Sequence, residues 1–395
     1  MSNQNFDVAI AGAGPAGSAA AAALAQLGWS VLLVEQDTLP RHKVCGEFLS
    51  PEAQGSLQRL GLIGAVDALG PTPLHSAEIS APGGQFVQME LPGTAMGVSR
   101  FALDNALASA AQEYGVTLWT GTTVLDFVER GELYELRLRT ATKAGEAVRN
   151  TPVHARQVIL ATGRHSRLAL SSAGSQSSMK DVSRGQHFVG IKCHFADVDL
   201  PNTVALYFFD GGYGGANPVE GGRANVCMLV TYEAFRKKGK SPTGMMDIMR
   251  GHHPLLEQQL AGAHMLPETF KTVGAVDTSR PVTPWQGVPC VGDAAAMITP
   301  LCGDGMAMAL RAAELCAPLV DSFLRRQVSQ AQMARAYTRT WHREFDSRLR
   351  VGRMVQALLG RPALADVLVA AGRMAPPLAR YFMQATRGTS LPQSA

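Results

Sequence analysis

The fold is decided by Asp7-Val-Ala-Ile-Ala-Gly12-Ala-Gly14-Pro15-Ala16-Gly17 near the N-terminus. A short apolar run of strand length meets a glycine-rich turn, and an alanine-rich helical stretch follows to about Gly28. Trp29-Ser-Val-Leu-Leu-Val-Glu35 then reads as a second strand, so strand, turn, helix and strand fit in about thirty residues. Gly12 permits the tight turn, Gly14 lets a pyrophosphate approach the backbone, and Gly17 lets helix and strand pack closely. The helix that opens at Pro15 and Ala16 offers unpaired N–H groups to a dianion. Glu35, at the end of the second strand, is placed to accept a hydrogen bond from a ribose 2′-hydroxyl and disfavours a 2′-phosphate. Dinucleotide binding follows, without a choice between nicotinamide and flavin.

The rest of the chain suits an enzyme. Its 395 residues suffice for two or three subdomains, because single cores rarely exceed roughly 250 to 300 residues. Charged residues make up 17%, aromatic residues 6% and hydrophobic residues 46%, with 40 glycines, which is a globular α/β balance. The net charge of +4 is small and its basic residues are dispersed until the last quarter of the chain, so no nucleic-acid footprint appears. The N-terminus lacks a basic leader with a cleavage site, and nowhere do eighteen uninterrupted apolar residues occur. A cytoplasmic protein is expected. The six cysteines show no CxxC pair and no zinc spacing, so reduced thiols and no metal site are expected.

Further strands are expected at Val158-Ile-Leu-Ala-Thr162-Gly163 and Val288-Pro-Cys-Val-Gly292-Asp293, the latter feeding a helix from Gly305 to about Arg325. Alternating strand-like patterns fill residues about 70 to 98 and 180 to 280, with Val204-Ala-Leu-Tyr-Phe-Phe209 the clearest, and recur nearby at Tyr134-Glu-Leu-Arg-Leu-Arg139. The expected fold is therefore α/β: a discontinuous Rossmann-type domain from residues 1–70, 99–180 and 281–330, interrupted by a mixed-sheet substrate domain from 71–98 and 181–280. Residues 331–395 read as a C-terminal helical segment, frayed after Arg387. That segment is expected to be a lid or packing element, with membrane-surface contact as the alternative because Arg348-Leu-Arg-Val-Gly-Arg353 mixes cationic and apolar positions.

A second motif decides the cofactor. Cys290-Val-Gly292-Asp293 is followed by Pro300-Leu-Cys-Gly303-Asp-Gly305-Met306, which opens a helix. Together with the first motif it resembles the FAD-binding signature of the geranylgeranyl reductase and flavoprotein monooxygenase superfamily, over most of the chain. The resemblance implies an aspartate at a ribityl hydroxyl, and an arginine near the flavin and its phosphates at Arg100, in Ser99-Arg100-Phe101-x-Leu-Asp104. It also sets Thr162-Gly163 where para-hydroxybenzoate hydroxylases carry Asp-Gly. Physically, a helix starting at Gly303 to Met306 directs backbone donors and a positive dipole end at the charge near N1 of a reduced flavin. Pro300 stiffens the loop.

Lys43-Val-Cys45-Gly46-Glu47 is similar to the Lys-x-Cys-Gly element that, in the reductases, lies against the flavin ring. Cys45 is either a proton donor, with its pKa depressed by Arg41 and Lys43, or a small packing group. Arg41, His42 and Lys43 are expected to meet phosphates or solvent, and Glu47 to hold the loop. The substrate side falls at Tyr207 to Arg223, where only Tyr213 and Pro218 retain the aromatic-proline pattern of the relatives, and Tyr213 and Asn217 are the candidate substrate residues. Loss of the tryptophans argues against a halogenase.

The expected function is FAD-dependent oxidoreduction of a hydrophobic small molecule, leaning to double-bond reduction by hydride transfer. The alternatives are hydroxylation or epoxidation through a flavin C4a-hydroperoxide, and an electron carrier or sensor. With no second GxGxxG, reduction is expected from transiently docked NAD(P)H or from an electron-donor protein. His252-His253-Pro254 reads as a helix-start loop, and Ser166 lacks the pattern of a serine nucleophile.

Overall fold

The computed structural model describes residues 4–140, 149–165, 188–239, 241–359 and 362–374. Two sheets organise them. The first holds Gln4–Ala11 (β1), Val31–Val34 (β2), Thr117–Trp119 (β6), Thr122–Arg130 (β7), Leu133–Thr140 (β8) and Arg149–Leu160 (β9). The second holds Phe48–Leu49 (β3), Thr72–Ser80 (β4), Phe86–Gly97 (β5), Phe188–Ala196 (β10), Thr203–Phe209 (β11), Gly212–Val219 (β12), Arg223–Thr231 (β13) and His264–Val276 (β14).

In the first sheet the order is β6-β2-β1-β9-β8-β7, parallel from β6 to β9 and antiparallel beyond. Its parallel strands are covered on both faces, which is why β2 and the end of β1 are continuous apolar runs with every residue buried. Helix α1 (Pro15–Gln26) packs against α2 (Arg100–Glu113) and α3 (Gly305–Leu324). Ala19 to Ala22 are wholly buried there, and their small side chains let the helices approach without losing rotamer freedom. Gly12 adopts φ +109°, and a Cβ on it would lie 2.3 Å from the Ala161 carbonyl oxygen. A Cβ on Gly17 would lie 1.8 Å from the Gly12 oxygen. The turn and the crossing of helix over strand therefore both exclude a side chain.

The second sheet runs β14-β10-β13-β12-β11-β4-β5-β3 and is antiparallel except where β11 meets β4. Helix Pro242–His252 lies on it so closely that a Cβ at Gly214 would sit 1.9 Å from the Met249 sulfur. Two long helices, α4 (Gln330–Leu359) and α5 (Pro362–Met374), follow α3. Among the described residues no helix is long and apolar enough to cross a membrane.

Tyr134 to Arg139 lies in β8 of the first sheet, within the 99–180 segment assigned to the Rossmann-type domain. One sequence expectation changes. Val288 to Asp293 forms no extended strand, only isolated bridges: Cys290 parallel to Leu160 and Pro289 antiparallel to Trp285. Pro289 has no N–H to donate, so its carbonyl accepts from Leu160 while Val291 returns one bond. The span 181–280 also contains helices, Pro242–His252 and Pro254–Gln259, the second starting with Pro254 in its first turn after His253, which supplies no side-chain cap. The tail after Arg387 and Ser166 lie outside the described residues.

Candidate active site

A cavity of about 1220 Å³ runs along the glycine turn, the first turn of α3, the second sheet and the C-terminal helices. Gly12, Gly14, Pro15, Ala16, Glu35, Lys43, Cys45, Gly46 and Arg100 line it, with Gly163, Gly292, Asp293, Pro300, Gly303, Gly305 and Met306. Residues from three distant stretches thus meet at one end.

The glycines divide by what a side chain would strike. Those at 12 and 17 face backbone, whereas a Cβ on Gly163 meets nothing within 4 Å, one on Gly46 only the Cys227 sulfur at 4.0 Å, and one on Gly14 only Arg100 Nη2 at 3.7 Å. A side chain there would intrude on the cavity, as expected of a cradle for a closely held group. Helices α1 and α3 both present uncapped N-termini: neither Gly14 nor Asp304 supplies a side-chain cap. Their first-turn N–H groups are free for an anion. Thr162 Oγ1, on the same wall, is buried with no partner among the described residues. These features fit FAD, whose pyrophosphate the α1 turn would hold and whose ring the α3 turn would meet.

Charge surrounds this end in an alternating array. Glu35 Oε2 accepts from the Ala13 N–H at 2.9 Å and from Arg41 Nη2 at 2.9 Å, and Arg41 Nη1 reaches Asp104 at 2.5 Å. Arg100 closes the row, its Nε and Nη2 on Asp104 at 2.6 and 2.8 Å. Burial alone would raise the Asp104 carboxyl, yet the Arg100 and Arg41 charges hold it below its usual range. Arg41 is therefore a correction to its expected contact with phosphate or solvent: it is buried against Glu35, Asp37 and Asp104 and does not line the cavity. Lys43 does line it, its pKa lowered by burial and by Arg41 and Arg100. Asp293 has its carboxyl pushed up by burial, against the pull of Arg100, Arg164, Lys43 and Arg280.

Cys45 faces the cavity, but its electrostatics reverse the expectation. Burial pushes the thiol up, outweighing Arg100, and its Sγ accepts from the Glu47 N–H at 3.4 Å. Of the neighbours in sequence expected to depress it, Arg41 is paired with Glu35, Asp37 and Asp104.

Glu47 does more than hold a loop. It has φ +54°, unusual for a residue with a side chain, and is wholly buried. Lys192 Nζ donates to one carboxylate oxygen at 2.6 Å, His194 Nε2 to the other at 2.6 Å, and the Arg100 N–H adds a third bond at 3.0 Å. Burial raises its pKa, but the His194 bond and the Lys192 charge bring it below the ordinary value. Sequence reasoning missed Lys192 and His194. Their signal was present: in Phe188-Val-Gly-Ile-Lys-Cys-His-Phe195 two polar residues stand two apart, on one face of an otherwise apolar strand. His42 lines the cavity, stacks on Phe101 at 4.6 Å and receives Lys192 Nζ at 3.5 Å on Nδ1. Burial and the Lys192 and His194 charges push its pKa down to about 4.

On the substrate side, Tyr213 and Asn217 both line the cavity. Tyr213 is packed against Phe208 and burial raises its phenol. The Asn217 amide donates to the Glu47 and Pro218 carbonyls, at 3.4 and 3.2 Å, so it braces the Cys45 loop. Away from the charged end the walls are aliphatic: Ile79 and Met89 from β4 and β5, Leu206 from β11, Val355 from α4, and Leu368 and Val369 from α5. His253 is a structural residue, its Nε2 donating to the Phe208 carbonyl at 2.9 Å. Among the described residues no cluster of three or more His, Cys, Asp or Glu could hold a metal.

Residues 5–340 match the family model described as FAD binding domain. The chain is 31% identical over 353 residues to a digeranylgeranylglycerophospholipid reductase of Methanopyrus kandleri, covering 86% of this chain and 83% of that protein. It is 28% identical over 337 residues to a menaquinone reductase of Mycolicibacterium smegmatis, covering 81% and 77%. A flavin-dependent brominase of known structure superposes with a TM-score of 0.77 at 19% identity, over 97% of this chain and 93% of that one, which speaks for the fold. The chain accordingly belongs to the FAD-binding domain family, in the superfamily of geranylgeranyl reductases and flavoprotein monooxygenases, and is an FAD-dependent oxidoreductase.

Proposed function

We propose that the protein saturates a carbon–carbon double bond in an elongated apolar molecule. One observation carries this reading: the cavity continues from the charged glycine-lined end into a sleeve of aliphatic side chains between β4, β5, β11 and the C-terminal helices. Apolar surface is bound there at roughly 25 cal/mol per Å² removed from water, so a long chain gains affinity without polar groups. The names of the two curated relatives, both reductases of lipophilic molecules, point the same way.

FAD, when bound, supplies a hydride. The chain's own residues do the rest. The uncapped starts of α1 and α3 and the cations Lys43 and Arg100 neutralise the cofactor's negative charge. Glu35, held by Arg41 and the Ala13 N–H, offers a carboxylate to the ribose. The aliphatic walls orient the chain and exclude water. Cys45, held as a neutral thiol by burial, shapes the wall beside the reacting bond.

The test is anaerobic. Holoenzyme reduced with dithionite is mixed with menaquinone or a digeranylgeranyl glycerophospholipid, and the product mass is recorded. A gain of two hydrogens in the side chain supports the reading. Oxygen consumed one to one with a hydroxylated or epoxidised product in air, and no anaerobic product, would refute it.

A further inference from the structure

Lys192 is an unusual residue to find where it is. Its ammonium is wholly buried, on a strand whose neighbours Ile191 and Cys193 are also wholly buried. Burying a charge costs several kcal/mol unless it is paired, and a paired charge is often no more stable than an apolar replacement. The backbone at Glu47 is strained as well, and such outliers persist where the surrounding structure over-determines them. Stability alone gives no reason for this arrangement.

The geometry supplies one. Glu47 fastens Lys192 through one carboxylate oxygen and His194 through the other. Lys192 turns a further N–H toward His42 Nδ1, and His42 stands on the cavity wall beside Lys43 and Cys45. A neutral His42 that accepts at Nδ1 carries its hydrogen on Nε2. The ring is stacked on Phe101 and set edge-on to His194, with centroids 5.4 Å apart, so it is fixed in that orientation.

We propose that Lys192 is the proton reservoir for the reduction, delivering through His42 into the cavity, with Glu47 as the positioning residue. This rests on the reduction reading above. The hydride from reduced FAD goes to one carbon of the double bond. The electron pair left on the neighbouring carbon takes the Nε2 proton of His42, while Lys192 Nζ passes a proton to His42 Nδ1. Two C–H bonds form, the π bond is lost, and Lys192 is left as a neutral amine. Water entering the cavity after product release protonates Nε2, and the Nδ1 proton returns to Lys192.

The charges facing His42 are Lys192, His194, Glu47 and Lys271, the last on β14 opposite Lys192. Removing Lys192 deletes both a like charge and the donor at Nδ1. The test therefore starts without substrate, on FAD-loaded protein with ¹⁵N-histidine, the His42 signal being assigned with His42→Gln. Wild type should show the Nε2–H tautomer. Lys192→Met should show the Nδ1–H tautomer appearing and the His42 pKa rising by roughly a unit or more. Glu47→Gln combined with Lys192→Met removes both charges, and it keeps the test usable if the single variant fails to fold. A His42 indifferent to Lys192 overturns the proposal.

The second arm uses dithionite-reduced holoenzyme without oxygen, with menaquinone or a digeranylgeranyl glycerophospholipid, whichever wild type saturates. His42→Gln should retain FAD yet saturate about 10²- to 10⁴-fold more slowly, the usual contribution of a positioned acid, with a smaller solvent deuterium isotope effect. Wild-type rates in His42→Gln overturn the relay alone. If wild type saturates neither probe, the reduction reading falls and takes the relay with it.

Discussion

Two alanine substitutions three residues apart should fail in different ways. At Gly17 a methyl group would lie 1.8 Å from the Gly12 carbonyl oxygen and 3.0 Å from the Ala161 Cβ, so α1 must move off the β1 turn. Overpacking of this kind costs about 1–3 kcal/mol or more. At roughly 2–4 °C per kcal/mol for chains of a few hundred residues, the melting temperature of apoprotein should fall by several degrees. At Gly14, φ is −81° and ψ −175°, an extended conformation open to alanine, and the methyl meets only the tip of Arg100 at 3.7 Å. Gly14→Ala should therefore leave apoprotein stability within about 1 kcal/mol of wild type. Its methyl would instead hold the pyrophosphate off the helix N-terminus. A charge-assisted hydrogen bond lost there is worth about 1.5–3 kcal/mol, which weakens FAD by roughly ten- to a hundredfold. The assays are thermal unfolding of flavin-stripped protein and titration with FAD by fluorescence quenching. Unchanged FAD affinity in Gly14→Ala, or an unshifted melting temperature in Gly17→Ala, would refute the division of the glycines into a packing pair and a cradle.

Glu35→Ala should lower both stability and FAD retention, because it leaves the Arg41 charge buried with one partner fewer; such losses cost about 3–5 kcal/mol, and Glu35→Gln should retain more of both. Normal flavin content in purified Glu35→Ala would count against the ribose contact. The folded state holds the Cys45 proton more tightly than the unfolded chain does, so the stability it contributes is full at neutral pH and is lost only as pH rises past about 9 toward the raised folded value. Iodoacetamide should therefore label Cys45 at pH 8 several-fold more slowly than it labels glutathione, with the rate climbing above pH 9; rapid labelling at pH 7 would show a depressed thiol after all. If the thiol only shapes the wall, Cys45→Ser should slow turnover less than His42→Gln, and the reverse order would restore Cys45 as proton donor. Leu206→Trp fills the aliphatic sleeve from β11, so FAD content should hold while KM for a chain-bearing substrate rises at least tenfold; an unchanged KM would move the substrate out of the sleeve.

The cofactor end could be read from the chain because its requirements are local. A tight turn, a close approach and an uncapped helix start demand particular residue types at fixed spacing, and these show as Gly12, Gly14, Gly17 and the run from Gly292 to Gly305. Glu35 followed from the same spacing, and it lines the cavity. The isolated bridges at Pro289 and Cys290, in place of a full strand, were not readable, since an apolar run does not name the strand that pairs with it.

Electrostatics needed the tertiary structure. Arg41 and Lys43 flank Cys45 in sequence, which suggested a depressed thiol, yet in space Arg41 is spent on Glu35 and Asp104 while burial governs the thiol. Glu47 meets Lys192 and His194 across 145 and 147 residues of chain. Sequence by itself determined which cofactor the backbone is shaped for, because backbone shape is encoded within a few residues. Only the folding of the second sheet onto the Cys45 loop decided which charges are buried together and what they can deliver to the cavity, because Coulomb interaction and desolvation depend on distance in space and not along the chain.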